Sequence, residues 1–210
     1  MKLYSSPFSA NARKVRLAAA ILEIPLDVVD VDLARGAQRA PEFLAVNPMG
    51  RVPVLEDGDF VLTESAAIMA YLADTKPGHP LYPLGAKARA DVNRWLFWSD
   101  NHWGPAIGAL TFEHWLKPMR RLGDPDPVQL KRQGDALHGF ASVLDGHLAS
   151  REWVSGPTMT LADLAIASSL GNAGRAKFSP EPFGHVVKWF RRIQALEPWK
   201  ATEPPTIPPR

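Results

Sequence analysis

Apolar residues in the first third of the chain recur with two different periods. "KLYS" (2–5) is a short apolar start and predicts a strand. From Ala10 to Glu23, the side chains of Val15, Leu17, Ala18, Ile21 and Leu22 collect mostly on one helical face, and Pro25 is expected to end that helix. "LDVVDVD" (26–32) alternates apolar and acidic residues, the pattern of a strand. "ARGAQRAPEFLAVNPMG" (34–50) predicts a loop with one helical turn, broken by Pro41 and Pro48. "RVPVLEDGDFVL" (51–62) reads as a hairpin, two β-rich runs around Asp57-Gly58. "ESAAIMAYLADT" (64–75) predicts a second long helix with Ile68, Tyr71 and Leu72 facing inward. The predicted order is β-α-β-α-β-β-α.

The rest of the chain carries only the helical period. Val92, Trp95, Leu96, Ser99 and Trp103 track one face, as do Leu130, Leu137, Phe140, Val143, Leu144 and Leu148. "TMTLADLAIASSL" (158–170) is apolar nearly all round and is expected to be buried. Val186, Val187, Phe190, Ile193 and Leu196 define a last amphipathic helix, which the tail "EPPTIPPR" (203–210) cannot continue. The proline-rich "KPGHPLYPLG" (76–85) separates the two halves. The expected organisation is an α/β domain over 1–77, a linker over 78–86 and an all-helical domain over 87–210.

Composition narrows the function. The 210 residues carry 24 Lys and Arg against 22 Asp and Glu, a formal charge of +2, so no large cationic surface is implied. The basic runs "RKVR" and "FRR" read as solvated helix faces, and no nucleic-acid partner is expected. With no cysteine there is no disulfide, no thiolate metal site and no protein thiol nucleophile. The six histidines show no i,i+4 pair, and no metal site is expected. The N-terminus lacks the apolar core of a signal peptide, and no run is long enough to span a membrane. A cytoplasmic protein without a membrane partner is expected.

Three motifs carry candidate chemistry. In "RVPV", Pro53 has no N–H for a sheet ladder and forces Val52 to be extended. Val52 can then offer its backbone N–H and C=O to an extended peptide ligand, although an ordinary edge-strand proline explains the motif as well. In "TES" (63–65), Ser65 fits a helix N-cap with Glu64 beside it. The helix start attracts a carboxylate and Glu64 an ammonium, so the amino-acid end of a ligand suits the pair. In "TLAD" (160–163), Thr160 and Asp163 fit a capping box, with Met159 and Leu164 as its apolar staple; this is a structural motif.

Together and in this order, these pieces resemble the cytosolic glutathione S-transferase family, of the serine-type active site found in bacterial, theta-like and phi-like members. The resemblance covers nearly the whole chain. It implies a thioredoxin-like N-terminal domain that binds glutathione and an all-helical C-terminal domain. "SSPFSANAR" (5–13) is similar to the serine-type stretch, with Ser9 and Arg13 in the places of its Ser and Arg. Ser9 is then expected to face the glutathione thiol, with Asn11 as a second candidate. The resemblance further implies that Gln38, Arg39 and Arg51 contact the glycine end, where relatives more often carry His, Lys, and Gln or Lys. It implies that Val52, ahead of Pro53, binds the cysteinyl backbone and that Glu64 and Ser65 hold the γ-glutamyl end. Asp100 is expected to approach the glutathione amine across a homodimer. Trp103 and Phe112 are expected to line the pocket of a small hydrophobic electrophile. No cofactor is expected, because glutathione is a co-substrate. The implied activity is transfer of glutathione to an electrophile, with dehalogenation, isomerisation and peroxide reduction as related outcomes. A non-catalytic glutathione-binding or regulatory protein on the same fold is the alternative.

Overall fold

The computed structural model describes residues 1–205; the last part of the proline-rich tail, 206–210, lies outside the described residues. The chain divides into two compact units, 1–79 with the segment from Ala195 onward, and 80–194.

The first unit begins β1 (Lys2–Ser5), α1 (Ala10–Ile21), β2 (Asp27–Asp30), α2 (Pro41–Val46), β3 (Val54–Asp57), β4 (Phe60–Leu62), α3 (Ser65–Asp74). This is the expected order. The sheet runs β2-β1-β3-β4, with β1 parallel to β2 and antiparallel to β3. Strand alternation sorts the core. Leu3 and Leu55 are cross-strand partners and fully buried, and α1 packs against α3, where Ile68 and Leu72 are fully buried. Tyr4 and Val54 point the other way and meet Phe43 of α2, the Tyr4 and Phe43 rings lying edge to face at 5.8 Å. The arrangement is thioredoxin-like, a mixed four-stranded sheet with helices on both faces.

Four local expectations for this unit are corrected. Pro41 starts α2 instead of breaking it, since the first turn of a helix needs no N–H from its N1 residue. Helix α1 stops before Pro25 is reached. Glu23 turns left-handed at φ 53°, and the Ile24 amide closes back on the Ala19 carbonyl at 2.9 Å. The "RKVR" run is no solvated face: Arg13 and Lys14 are buried and Arg16 is half-buried, where burial lowers the pKa of its guanidinium. Tyr71 is only half-buried, its hydroxyl donating to Asp57 Oδ2 at 2.7 Å beside the hairpin.

The second unit holds α4 (Ala86–Trp98), α5 (Gly104–Thr111), α6 (Lys117–Met119), α7 (Pro127–Leu148), α8 (Leu161–Leu170) and α9 (Gly184–Gln194). Helices α4 to α6 form one continuous rod interrupted by two π turns, Ser99–Trp103 and Phe112–Leu116. Each π turn lies just ahead of a proline, Pro105 and Pro118. A proline within a helix lacks the N–H and crowds the carbonyl four residues back, and a widened turn absorbs both defects. Val92, Trp95, Leu96, Ser99 and Trp103 are all buried, as their spacing predicts, and so is every residue of α8. Val143 is instead 58% exposed; on α9 Trp189 joins Val186 and Ile193 in the core, Val187 and Phe190 are half-buried, and Leu196 falls beyond α9 as the N-cap of the helix that follows. The expected linker is partly structural: Leu81 and Tyr82 are buried in the helical unit, with the Leu81 carbonyl accepting the Leu161 amide at 2.9 Å.

Helix α10 (Glu197–Ala201) belongs to the first unit; the chain breaks helix after Gln194, and Pro198 in the first turn again opens a helix. It docks on α1 through Arg13, whose Nη2 donates to the Trp199 carbonyl at 3.1 Å and whose guanidinium stacks 3.7 Å from the Trp199 ring. Among the described residues no helix is long and apolar enough to cross a membrane, and no group of His, Asp or Glu side chains is placed to hold a metal ion.

Candidate functional site

A shallow cleft of about 60 Å³ in the first unit gathers Asn11, Arg51, Val52, Pro53, Glu64 and Ser65. These come from three segments far apart in sequence. Asn11 is on the first turn of α1, Arg51 to Pro53 lead into β3, and Glu64 and Ser65 open α3.

The lead into β3 is shaped by a residue that the motif reading passed over. Asn47 is buried, and its Nδ2 donates to the Arg51 carbonyl at 2.7 Å while its Oδ1 accepts the Met49 amide at 3.1 Å. The Gly50 amide closes the same turn onto the Asn47 carbonyl at 2.9 Å. Asn-Pro is a turn-initiating pair, and that signal stands in the sequence at 47–48. The Val52–Pro53 peptide bond is cis. The ladder with β1 begins only at Val54, so no strand pairing engages Val52. Its side chain packs onto the Phe43 cluster, which leaves its backbone at the cleft.

Glu64 adopts φ 65° and ψ 111°, a region that non-glycine residues occupy at a cost of order 1–3 kcal/mol. Glu64, not Ser65, is the N-cap of α3, and among the described residues no side chain caps the helix. Ser65 is the first helical residue and is buried. The first-turn amides of α3 therefore meet the cleft without a capping oxygen, the arrangement that suits a ligand carboxylate. The Glu64 carboxylate is exposed beside them.

Ser9 is the N-cap of α1: its Oγ accepts the Ala12 amide at 3.2 Å. Capping uses a lone pair and leaves the hydroxyl proton available, so the cap and a donor to a ligand are compatible roles. Ser9 is half-buried and lies outside the residues lining the cleft, whereas Asn11 lines it. Gln38 and Arg39 also lie outside it, on a 3-10 turn (Ala37–Arg39). That turn abuts the cleft loop at Gly50: a Cβ there would stand 2.8 Å from the Gln38 carbonyl oxygen and from an Arg39 guanidinium nitrogen. The Gln38 Oε1 is buried with no partner among the described residues.

Gly50 also has φ 61°. Gly50→Ala is expected to destabilise the protein by about 2 kcal/mol, combining left-handed strain with a backbone clash. It should also weaken ligand binding by displacing Arg51 and Val52. Thermal melts and calorimetry check both, and a variant indistinguishable from wild type would show that the loop does not lean on the Gln38–Arg39 turn.

In the helical unit, Asp100 and Trp103 fall on the first π turn and Phe112 on the second. Trp103 is corrected from pocket to core. It is fully buried, and its Nε1 donates to the Ile166 carbonyl at 3.1 Å. Phe112 is 37% exposed and Asp100 is half-buried.

The family models for "Glutathione S-transferase, N-terminal domain" and "Glutathione S-transferase, C-terminal domain" match residues 1–74 and 123–197. The chain is 35% identical to glutathione S-transferase 3 of Zea mays, over 96% of this chain and 92% of that one. Its fold superposes on glutathione transferase F7 from Populus trichocarpa with a TM-score of 0.87 at 27% identity, over 96% of each chain. It superposes on a glutathione S-transferase-I bound to lactoylglutathione with a TM-score of 0.85 at 25% identity, over 96% of this chain and 97% of that one.

Proposed function

The chain belongs to the glutathione S-transferase family, and from that premise we propose that it is of the serine type, with glutathione lying across the cleft of the first unit. The observation that carries this reading is the uncapped start of α3 beside the strained Glu64, facing the unpaired backbone of Val52. Glutathione is an extended peptide whose γ-glutamyl end has an ammonium next to a carboxylate. Glu64 takes the ammonium, and Ser65 with the α3 amides takes the carboxylate. Val52 pairs with the cysteinyl backbone. Arg51, with Gln38 and Arg39 on the adjoining turn, receives the glycine carboxylate. The binding of lactoylglutathione by a relative of the same fold supports a glutathione ligand.

The cysteinyl thiol then falls toward the start of α1. Ser9 donates its hydroxyl proton to the thiolate there, with Asn11 as a second donor. A thiol with a pKa of about 8.5 needs roughly 2.7 kcal/mol of differential stabilisation to drop two units. A hydrogen bond to a charged group supplies about 1.5–3 kcal/mol and the helix start about 0.3–1 kcal/mol, so the two together suffice. The thiolate attacks a small hydrophobic electrophile. The protein acts in the cytoplasm and as a homodimer; the exposed apolar residues Met49, Phe60 and Val61, 54%, 45% and 45% exposed, support the second of these. In that dimer Asp100 reaches the glutathione amine of the second subunit.

Glu64→Gln tests the cleft. It should weaken glutathione binding by about 1.5 kcal/mol, the lower end for hydrogen bonds to charged groups because the carboxylate is exposed. A glutathione analogue without the amino group should lose little more in the variant than in wild type. Calorimetry on two proteins and two ligands closes the cycle. A coupling energy near zero would remove Glu64 from the ammonium.

A further inference from the structure

We propose that the helical unit carries a second binding site, for a small organic polyanion, in the cleft between the C-terminal end of α7 and α9. The cleft has a volume of about 470 Å³ and is lined by Leu148, Arg151, Glu152, His185, Lys188 and Arg192, among others. That volume is within the range of small-molecule sites. His185, Lys188 and Arg192 are spaced three and four residues apart on α9 and so form one stripe along the helix. Arg151 joins them from the segment that follows α7.

Several features separate this cluster from a solvated basic face. The start of α9 is pinned to α7, with Asp145 Oδ1 accepting the amides of His185 and Val186 at 2.8 and 3.0 Å, so the cleft is built into the fold. Arg192 is half-buried, donates through Nη2 to the Glu152 carbonyl and lies over the Trp153 ring at 5.5 Å. Its Nε is buried and has no partner among the described residues. Arg151 donates through Nη1 to the His147 carbonyl at 3.1 Å. Both guanidiniums are thus fixed by neutral backbone oxygens. Among the described residues neither they nor Lys188 makes an ion pair. Three cationic side chains line this cleft, where Glu152 is the one carboxylate in the lining. Fixed like charges repel, and an anion between them relieves that repulsion. A ligand with two acidic groups can engage more than one of these cations, while Ala149 offers apolar surface to its carbon frame.

The test is calorimetric titration of the full chain at low ionic strength with pyrophosphate and, separately, with citrate, which distinguish phosphate from carboxylate chemistry. The expected result is one saturable site per chain for at least one probe. Lys188→Gln and Arg151→Gln, both at exposed positions, should each weaken it about fivefold. The double variant should lose roughly the product, with glutathione turnover unchanged. Arg192→Lys, which keeps the charge and removes the fork, should also weaken it. Arg51→Gln, in the other unit, should leave it intact. Saturable binding of neither probe, binding retained in the double variant, or binding lost in Arg51→Gln would overturn the proposal.

Discussion

Replacing Asp163 with alanine is expected to lower the melting temperature by roughly 10 °C while leaving turnover per folded molecule near wild type. Asp163 is fully buried at the start of α8, where it forms the capping box with Thr160. Its Oδ1 accepts the Val154 amide at 2.9 Å and Trp189 Nε1 at 2.8 Å. Its Oδ2 accepts the Thr160 amide at 2.8 Å and the Thr160 hydroxyl at 3.0 Å. Burial pushes the carboxyl above its ordinary pKa, and these hydrogen bonds pull against that shift. The sequence motif alone implies a capping loss of about 0.5–2 kcal/mol. The structure raises that figure, because alanine strands four buried donors on α8, α9 and the preceding loop. About 3–5 kcal/mol is expected, as each buried unsatisfied group costs about 1–3 kcal/mol before relaxation. In a chain of this size a kcal/mol corresponds to about 2–4 °C. Trp189→Phe removes one donor and should cost distinctly less. A stable but inactive Asp163→Ala would contradict the structural assignment.

Ser9→Ala should lower turnover by about 10–100-fold, with a smaller change in glutathione affinity. The asymmetry follows because a donor to the sulfur matters more once the thiol has ionised, and transition-state charge resembles the thiolate. Losing the α1 cap adds about 0.5–2 kcal/mol of destabilisation, which melts will register separately. Ser9→Thr keeps both the capping oxygen and a hydroxyl proton, so it should recover stability and much of the turnover. If Ser9→Ala lost only stability, the hydroxyl would be a cap alone.

Much of this was legible in the sequence because period and turn chemistry agree locally. Leu3, Leu55, Ile68 and Leu72 announce the first core, and "RVP" and "TES" converge on one cleft although they lie a dozen residues apart. Pro41 misled, because position within a helix decides what a proline does. Pro41 and Pro198 start helices, and Pro105 and Pro118 sit in one rod that widens to admit them. Arg13 and Lys14 read as surface by composition, yet the fold buries them, Arg13 beneath a C-terminal helix whose return no local pattern encodes. Trp103 and Phe112 share an aromatic-rich helix, and only the Ile166 carbonyl, brought in by tertiary packing, assigns Trp103 to the core. Asn47 was visible as a turn residue, but its hold on Arg51 depends on a side-chain rotamer that spacing does not specify.

The central claim is that the start of α1 stabilises the glutathione thiolate through Ser9. The direct measurement is the ultraviolet absorbance of enzyme-bound thiolate against pH in wild type, Ser9→Ala and Asn11→Ala. The wild-type curve should fall well below the free thiol, and Ser9→Ala should return most of the way toward it, with Asn11→Ala shifted less. Coincident curves for wild type and Ser9→Ala, with a displaced curve for Asn11→Ala, would contradict the claim and move the thiol to Asn11.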